Sequence, residues 1–417
     1  MHNDSRAAMI ALCGALVCGA LVRADGFRNP PDTAAAIGVA GNNRAWVDDA
    51  SAVFFNPANL ADLTNRQVLI SGTVGYGETQ YRSLAGTTTG TELPWFALPS
   101  MAIAWPLPAD GLGLGLGVNV PFGRQSSWDK NGYFRANSPT YTKMMVLNIN
   151  PSLAWRASDE FSVGVGLDIY YGRLQFRQYL PWPAIVGGGE GLAQAASDGW
   201  ACGANAGITW RPTPDQRVAL TCRTPFNLHF SGDLTVRDIP PPLSPVVVPE
   251  SDFSTTFQFP TIVALGYGIR VADTLTLEAD VEWLQSSRFK KMTLDAGANN
   301  WLLQQNNEAS MPTDWNNNWT FGLGAVWQFA PQWTLRGGYE YLQSPAPNRT
   351  FTPSILDNSQ SFVTLGLGFR SGPHAVDLAG GLGIFGGRTV RNNQVSSYNG
   401  DYDFSASLVA LTYTLNF

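Results

Sequence analysis

From about Arg66 to Phe417 the chain alternates apolar side chains with small or polar ones over stretches of about ten residues. The last stretch is the clearest: Val409, Leu411, Tyr413, Leu415 and Phe417 share one parity, and Ala410, Thr412, Thr414 and Asn416 the other. A period of two sends the two sets to opposite faces of a β-strand, and strands of this length fit the apolar thickness of a bilayer. Leu112, Leu114, Leu116, Val118 and Val120 repeat the pattern against Gly113, Gly115, Gly117 and Asn119, as do Phe161, Val163, Val165, Leu167 and Ile169 against their neighbours. The expected fold is all-β, a transmembrane antiparallel β-barrel of the outer-membrane type.

The connections set its topology. Strands are expected at 66–82, 95–106, 111–121, 143–157, 159–178, 199–211, 216–230, 253–271, 273–289, 315–329, 332–343, 359–370, 373–386 and 401–417, fourteen in all. Tight junctions (Leu107 to Asp110, Ser158, Pro212 to Asp215, Ala272, Ala330-Pro331, Ser371-Gly372) alternate with long ones at 83–94, 122–142, 179–198, 231–252, 290–314, 344–358 and 387–400. Outer-membrane barrels have short periplasmic turns and long external loops, so the N-terminus is expected in the periplasm. The charged fraction is 14% and the mean hydropathy is −0.07, too polar for a bundle of membrane helices but suited to a barrel that hides half its side chains from lipid. A net charge of −6 gives no basic footprint for nucleic acid.

Residues 1–24 read as an export signal: His2 and Arg6 precede the apolar run Ala7 to Val22, and Ala24 offers a cleavage position before Asp25. Its removal takes Cys13 and Cys18 with it. Cys202 and Cys222 remain on neighbouring strands, either as a disulfide or as two small lipid-facing residues. His229 and His374 stand without a Cys or carboxylate cluster, so neither a metal nor a cofactor is expected. Gly164-x-Gly166, Gly322-x-Gly324 and Gly366-x-Gly368 open no helix after a strand and leave room in the lumen instead of cradling a nucleotide. No nucleophile and base stand out as a pair, and an enzyme is not expected.

Two features point to a ligand. The loop at 179–198 carries Leu180, Trp182, Ile185, Val186 and Leu192, and the loop at 231–252 carries Ile239, Leu243, Val246, Val247 and Val248 among prolines. Apolar residues in water-facing loops mark a binding surface or a lid over one. Residues 25–65 lack the barrel rhythm. Their run Ala34 to Gly41, Trp46, Asp48-Asp49-Ala50-Ser51 and Asn56-Pro57-Ala58 suit burial as a plug in a barrel spanning 66–417.

Gly26-Phe27, the Gly38 to Gly41 run, Asp48-Asp49-Ala50 and Asn56-Pro57-Ala58 resemble the N-terminal hatch of the FadL family (OMPP1/FadL/TodX type) of outer-membrane hydrophobic-compound transporters. Asn150 to Trp155, Phe161 to Tyr171, Leu335 to Tyr339, Gln343 to Pro347 and Leu365 to Gly368 are similar to its barrel segments, in order along the chain. The resemblance implies a barrel of fourteen strands whose hatch plugs the lumen, and passive uptake of long-chain fatty acids or of aromatic or aliphatic hydrocarbons. The solute would leave sideways through a gap at a kinked third strand.

Residue by residue, the resemblance makes Phe27 the aromatic that can occupy the pocket, Asn56, Pro57 and Ala58 the hatch motif, and Pro121 and Gly123 the kink. Leu180, Trp182, Ile185 and Val186 would catch the ligand, and Arg173, Arg177 and Lys290 would meet a carboxylate if they turn inward. By parity, Arg173 and Arg177 fall with lipid-facing Ile169 and Tyr171, where they would reach lipopolysaccharide phosphates. Phe417 is expected to present the chain end to the barrel-assembly machinery, and a monomer is expected. The alternative is a plugged barrel with a structural, adhesive or secretion-scaffold role.

Overall fold

The computed structural model describes residues 26–107, 111–305 and 309–417; the expected export signal, 1–24, lies outside them. Fourteen strands form a closed antiparallel wall. In order they are β1 Gln67–Ser83, β2 Trp95–Pro106, β3 Leu112–Ser127, β4 Tyr141–Arg156, β5 Phe161–Pro181 and β6 Glu190–Thr213. Then come β7 in two pieces, Gln216–Arg223 and Phe226–Arg237, and β8 in two pieces, Glu250–Phe259 and Ile262–Ala272. The wall ends with β9 Leu275–Leu284, β10 Asn318–Ala330, β11 Trp333–Leu342, β12 Gln360–Ser371, β13 His374–Phe385 and β14 Gly400–Asn416. Closure is made by β14 on β1, in register from Gln67↔Asn416 to Ser83↔Gly400, which removes both sheet edges.

The parity expected for the last strand holds: Val409, Leu411 and Tyr413 are exposed on the outer surface while Ala410, Thr412 and Thr414 are buried. Boundaries differ where strands rise beyond the apolar band. There β3 continues to Ser127 instead of ending at 121, β6 begins at Glu190 instead of 199, and β7 reaches Arg237 instead of 230. Above the band the outer face meets water while the inner face of β6 and β7 packs apolar residues (Ala193, Ala195, Leu234, Val236), so the lipid-facing period that locates a strand is lost although the ladder goes on. The expected loops at 179–198 and 231–252 shrink accordingly. The breaks in β7 and β8 lie side by side, since Arg223↔Ile262 and Phe226↔Phe259 flank them, and each contains a proline, Pro225 and Pro260, that cannot donate to a ladder.

The segment from Gly26 to Arg66 packs inside the barrel. Helix α1 (Ala34–Gly38) is capped by Thr33, whose hydroxyl accepts from the Ala36 amide at 3.2 Å, and the Ala34 amide donates to Thr412 Oγ1 at 2.8 Å. Gly38 lies so close to β12 that a Cβ on it would stand 3.2 Å from Gly366 Cα, which explains one of the Gly-x-Gly runs as a close approach of backbones.

After α2 (Ala52–Phe55) the Asn56-Pro57-Ala58 motif starts a 3₁₀ turn, Pro57–Asp62. Asn56 Oδ1 accepts from the Ala58 amide at 3.2 Å, and its Nδ2 donates to Arg44 O at 2.9 Å and to Thr209 Oγ1 at 2.8 Å. Pro57 takes the first turn position, where an N–H would find no partner. Opposite, β5 and β6 provide glycines: a Cβ on Gly164 would stand 2.4 Å from Ala58 N, and one on Gly207 2.1 Å from Asn56 Oδ1. Gly164→Val is therefore expected to unseat the hatch while the wall still closes. Small sugars should then swell proteoliposomes made with the variant and not those made with the parent; equal, slow swelling would show that the hatch does not depend on this contact.

Candidate ligand pathway

The third strand is where the wall fails. Up to Asn119↔Asn148, β3 and β4 pair without a break; pairing resumes at Phe122↔Val146, so β3 carries one residue more than β4 across Val120-Pro121. Such a bulge bends the strand. From Phe122 to Ser127 every side chain is buried, because the bent strand runs into the lumen. Pairing of β3 with β2 stops at Met101↔Val118, while β2 continues along β1 as far as Trp95↔Tyr76. The upper half of β2 thus has no partner on the β3 side.

The Pro94 carbonyl accepts from the Gly77 amide at 2.8 Å, so in this register even-numbered residues of β2 face β1 and odd-numbered ones face the gap. Pro99 falls on the gap side and has no N–H to leave unpaired there. Pro121 and Gly123, expected to mark the kink, both lie in it; Pro99 went unnoticed in the sequence because it reads only as an irregularity of the second strand.

The start of the hatch fills the inner side of the bend. The Gly123 amide donates to Phe27 O at 2.8 Å, the Asn29 amide to Pro121 O at 2.9 Å, and Asn29 Nδ2 to Val120 O at 2.7 Å. The Phe27 ring, 4% exposed, sits among Trp315 (4.8 Å between centroids), Phe289 (5.2 Å), Phe257 (5.5 Å) and Phe259 (5.8 Å). Gly26 holds a φ of 67°, and its amide donates to Asp357 Oδ1 at 3.2 Å. Asp357 also faces Arg124 at 3.8 Å, accepts from the Ser344 hydroxyl, and through its carbonyl accepts from Arg388 at 2.8 Å. Burial pushes the Asp357 carboxyl above its ordinary value, against the pull of Arg124, Ser344, Arg388 and the Gly26 amide.

Two adjoining cavities lie above. The inner one, about 100 Å³, is lined by Phe27, Met144, Leu174, Phe257 and Leu303, with Arg124 as its cation. The outer one, about 960 Å³, lies between the long loops and is lined by Leu180, Trp182, Val186, Leu243 and Trp301 of α3 (Asn300–Gln305). Leu180, Leu302 and Ile355 belong to both linings. Trp182 is fixed by its Nε1–H, which donates to Asp238 O at 2.8 Å across the loops.

The sequence matches the family described as Outer membrane protein transport protein (OMPP1/FadL/TodX) over residues 15–417. The chain belongs to this family. It is 23% identical over 404 residues to a long-chain fatty acid transport protein of Salmonella typhi, covering 89% of this chain and 88% of that one. To Outer membrane protein P1 of Haemophilus influenzae it is 22% identical, covering 85% and 84%. Among solved structures, a Pseudomonas aeruginosa FadL homologue superposes with a TM-score of 0.83 at 23% identity, over 94% of this chain and 100% of that one. The Ralstonia pickettii toluene transporter TbuX gives 0.71 at 18% identity, over 93% and 99%. Membership places the protein in the bacterial outer membrane as a transport protein.

The structure brings together some of the residues singled out from the family's pattern and separates others. Phe27, Leu180, Trp182 and Val186 line the two cavities; Ile185, 93% exposed, lines neither. Arg173 and Arg177 are exposed on the outer face of β5, and Lys290 is exposed in the loop after β9, so none of the three meets the cavities. Among the described residues the cations that do are Arg349, on the lining of the outer cavity, and Arg124, on that of the inner one. Simple parity puts Arg124 with outward Leu116 and Val118, and the extra residue at Val120-Pro121 turns it inward. Cys202 and Cys222 are free and exposed: Cys222 pairs with Ala206, several residues along β6 from Cys202, too far for a bond.

Proposed function

We propose that the protein carries out passive uptake of hydrophobic small molecules, long-chain fatty acids or aromatic or aliphatic hydrocarbons, across the outer membrane. The vestibule between the loops captures the solute, the inner cavity receives it as Phe27 and the hatch start move, and the gap between β2 and β3 releases it sideways into lipid. One observation carries this reading: a strand gap in the wall whose inner side is covered by the hatch segment that also walls the apolar cavity. Around that gap Val120 and Phe96 and Leu98 of β2 cluster with Met145 and Leu147 of β4, so its rim is apolar. Lateral exit keeps an apolar solute out of water throughout.

Magnitudes favour displacement of the ring. Pockets that enclose a ligand usually span about 300–1,000 Å³. The vestibule reaches that range and the inner cavity, about 100 Å³, does not while Phe27 sits in it. Removing a buried Phe ring costs on the order of 3–5 kcal/mol. Burial of each methylene returns about 0.8 kcal/mol, so about five methylenes offset that cost. A structural, adhesive or secretion-scaffold barrel needs neither the gap nor an apolar chamber behind it. The test is uptake by proteoliposomes of labelled toluene and palmitate beside a sugar of similar size. The hydrophobic solutes are expected to enter lipopolysaccharide-faced proteoliposomes faster than protein-free ones of the same lipid; acceleration of the sugar alone would overturn the proposal.

A further inference from the structure

Beneath Phe27 and Phe122 lies a third cavity, about 100 Å³, between the hatch and the wall next to the kink. One water needs on the order of 10–15 Å³ of such space, so it has room for a small polar group. Its character differs from the cavities above. Asn119 of β3 and Asn205 of β6 line it, 2% and 7% exposed. Neither Nδ2 nor Oδ1 of Asn205 has a hydrogen-bond partner in the protein, nor does Asn119 Oδ1. Beside them Asp168, fully buried, receives Asn148 Nδ2 at 2.7 Å and Asn150 Nδ2 at 2.6 Å on one oxygen and leaves Oδ2 without a partner. Gly166 gives Asn205 its place, since a Cβ there would stand 2.8 Å from both amide atoms.

Each unmet buried group costs about 1–3 kcal/mol, so several gathered on one cavity call for a guest that satisfies them. The charges narrow its chemistry. Every guanidinium of the lining already faces acids: Arg28 faces Glu282 and, at 3.7 Å, Glu340; Arg44 faces Glu282 and, at 3.7 Å, Asp280; Arg223 faces Asp168 at 3.5 Å. A carboxylate would bring a further negative charge among these acids. A hydroxyl instead accepts from Asn205 Nδ2 and donates to Asn119 Oδ1 or Asn205 Oδ1, while Phe54, Phe55 and Phe122 on the same lining take an apolar body.

We propose that this cavity binds the neutral hydroxyl end of an otherwise apolar solute on its way to the gap, so that the protein prefers alcohols to the matching carboxylates. The proposal rests on the uptake reading above. It is tested by equilibrium dialysis of the protein in nanodiscs against labelled 1-decanol, decanoate and decane, after subtraction of empty nanodiscs. The parent is expected to bind decanol about tenfold more tightly than decanoate, a difference of about 1.4 kcal/mol. Asn205→Leu and Asn119→Leu, with folding checked by heat-modifiable gel mobility, should each lose about three- to tenfold in decanol affinity and keep decane within twofold. Decanoate binding as tightly as decanol, or folded variants that keep the parent's decanol affinity because only water occupies the cavity, would overturn the proposal and leave uptake untouched. Absence of both decane and decanol binding to the parent would overturn the uptake reading itself.

Discussion

Deletion of Pro121 is expected to reduce uptake of hydrophobic solutes to the rate of protein-free liposomes while the barrel still assembles. The register gives the reason. β3 exceeds β4 by a single residue between Asn119↔Asn148 and Phe122↔Val146, and removing one residue lets the two strands pair without a bulge. A straight β3 then continues the ladder with β2 beyond Met101↔Val118 and seals the gap. The same deletion withdraws the carbonyl to which the Asn29 amide bonds, so the hatch start loses its seat as well. Uptake by the deletion protein at the parent's rate, with folding confirmed by heat-modifiable mobility, would mean that the solute leaves by another route.

Phe27→Ala is expected to tighten binding of an apolar ligand by at least tenfold. In the parent a ligand must displace a ring packed against four others, at about 3–5 kcal/mol by analogy with buried Phe-to-Ala substitutions. A competent state that is rarely populated weakens apparent affinity by its population, and the substitution removes that penalty. Retention of other contacts by the hatch start, at Gly26, Asn29 and Gly123, limits the gain below the full three decades that 4 kcal/mol would give. Dialysis against labelled dodecane measures it. Weaker binding by the variant would show that Phe27 forms part of the binding surface and does not compete with the ligand.

The wall was legible because lipid imposes a strict two-residue period wherever a strand crosses it. Fourteen strands and the alternation of short and long connections could be counted for that reason. Above the apolar band this constraint lapses, and there β3, β6 and β7 outran their expected ends. The candidate site was legible where the chain departs from the rhythm: the segment inside the barrel by its absence, the bulge by Pro121 and Gly123, the outer cavity's lining by Leu180, Trp182 and Val186. It was illegible where one residue changes the parity of all that follow. Arg124 reads as an outward residue until the bulge is known, and Arg173 and Arg177, on an unbulged strand, stay outside as their parity says. Asn205 was hidden among small residues, and only the packing of Gly166 against it reveals that its amide is buried and unpartnered.

The central claim is a path from the loops through the place of Phe27 to the side of the barrel at β3. Crystals soaked with a terminally brominated alkane test it most directly, because bromine can be located by its anomalous scattering whatever the order of the chain around it. Bromine is expected in the vestibule by Trp182, in the space vacated by the Phe27 ring, and at the gap between Leu98 and Val120. Bromine confined to the outer lipid-facing surface, or threaded past Asn56 through the centre of the hatch, would contradict it.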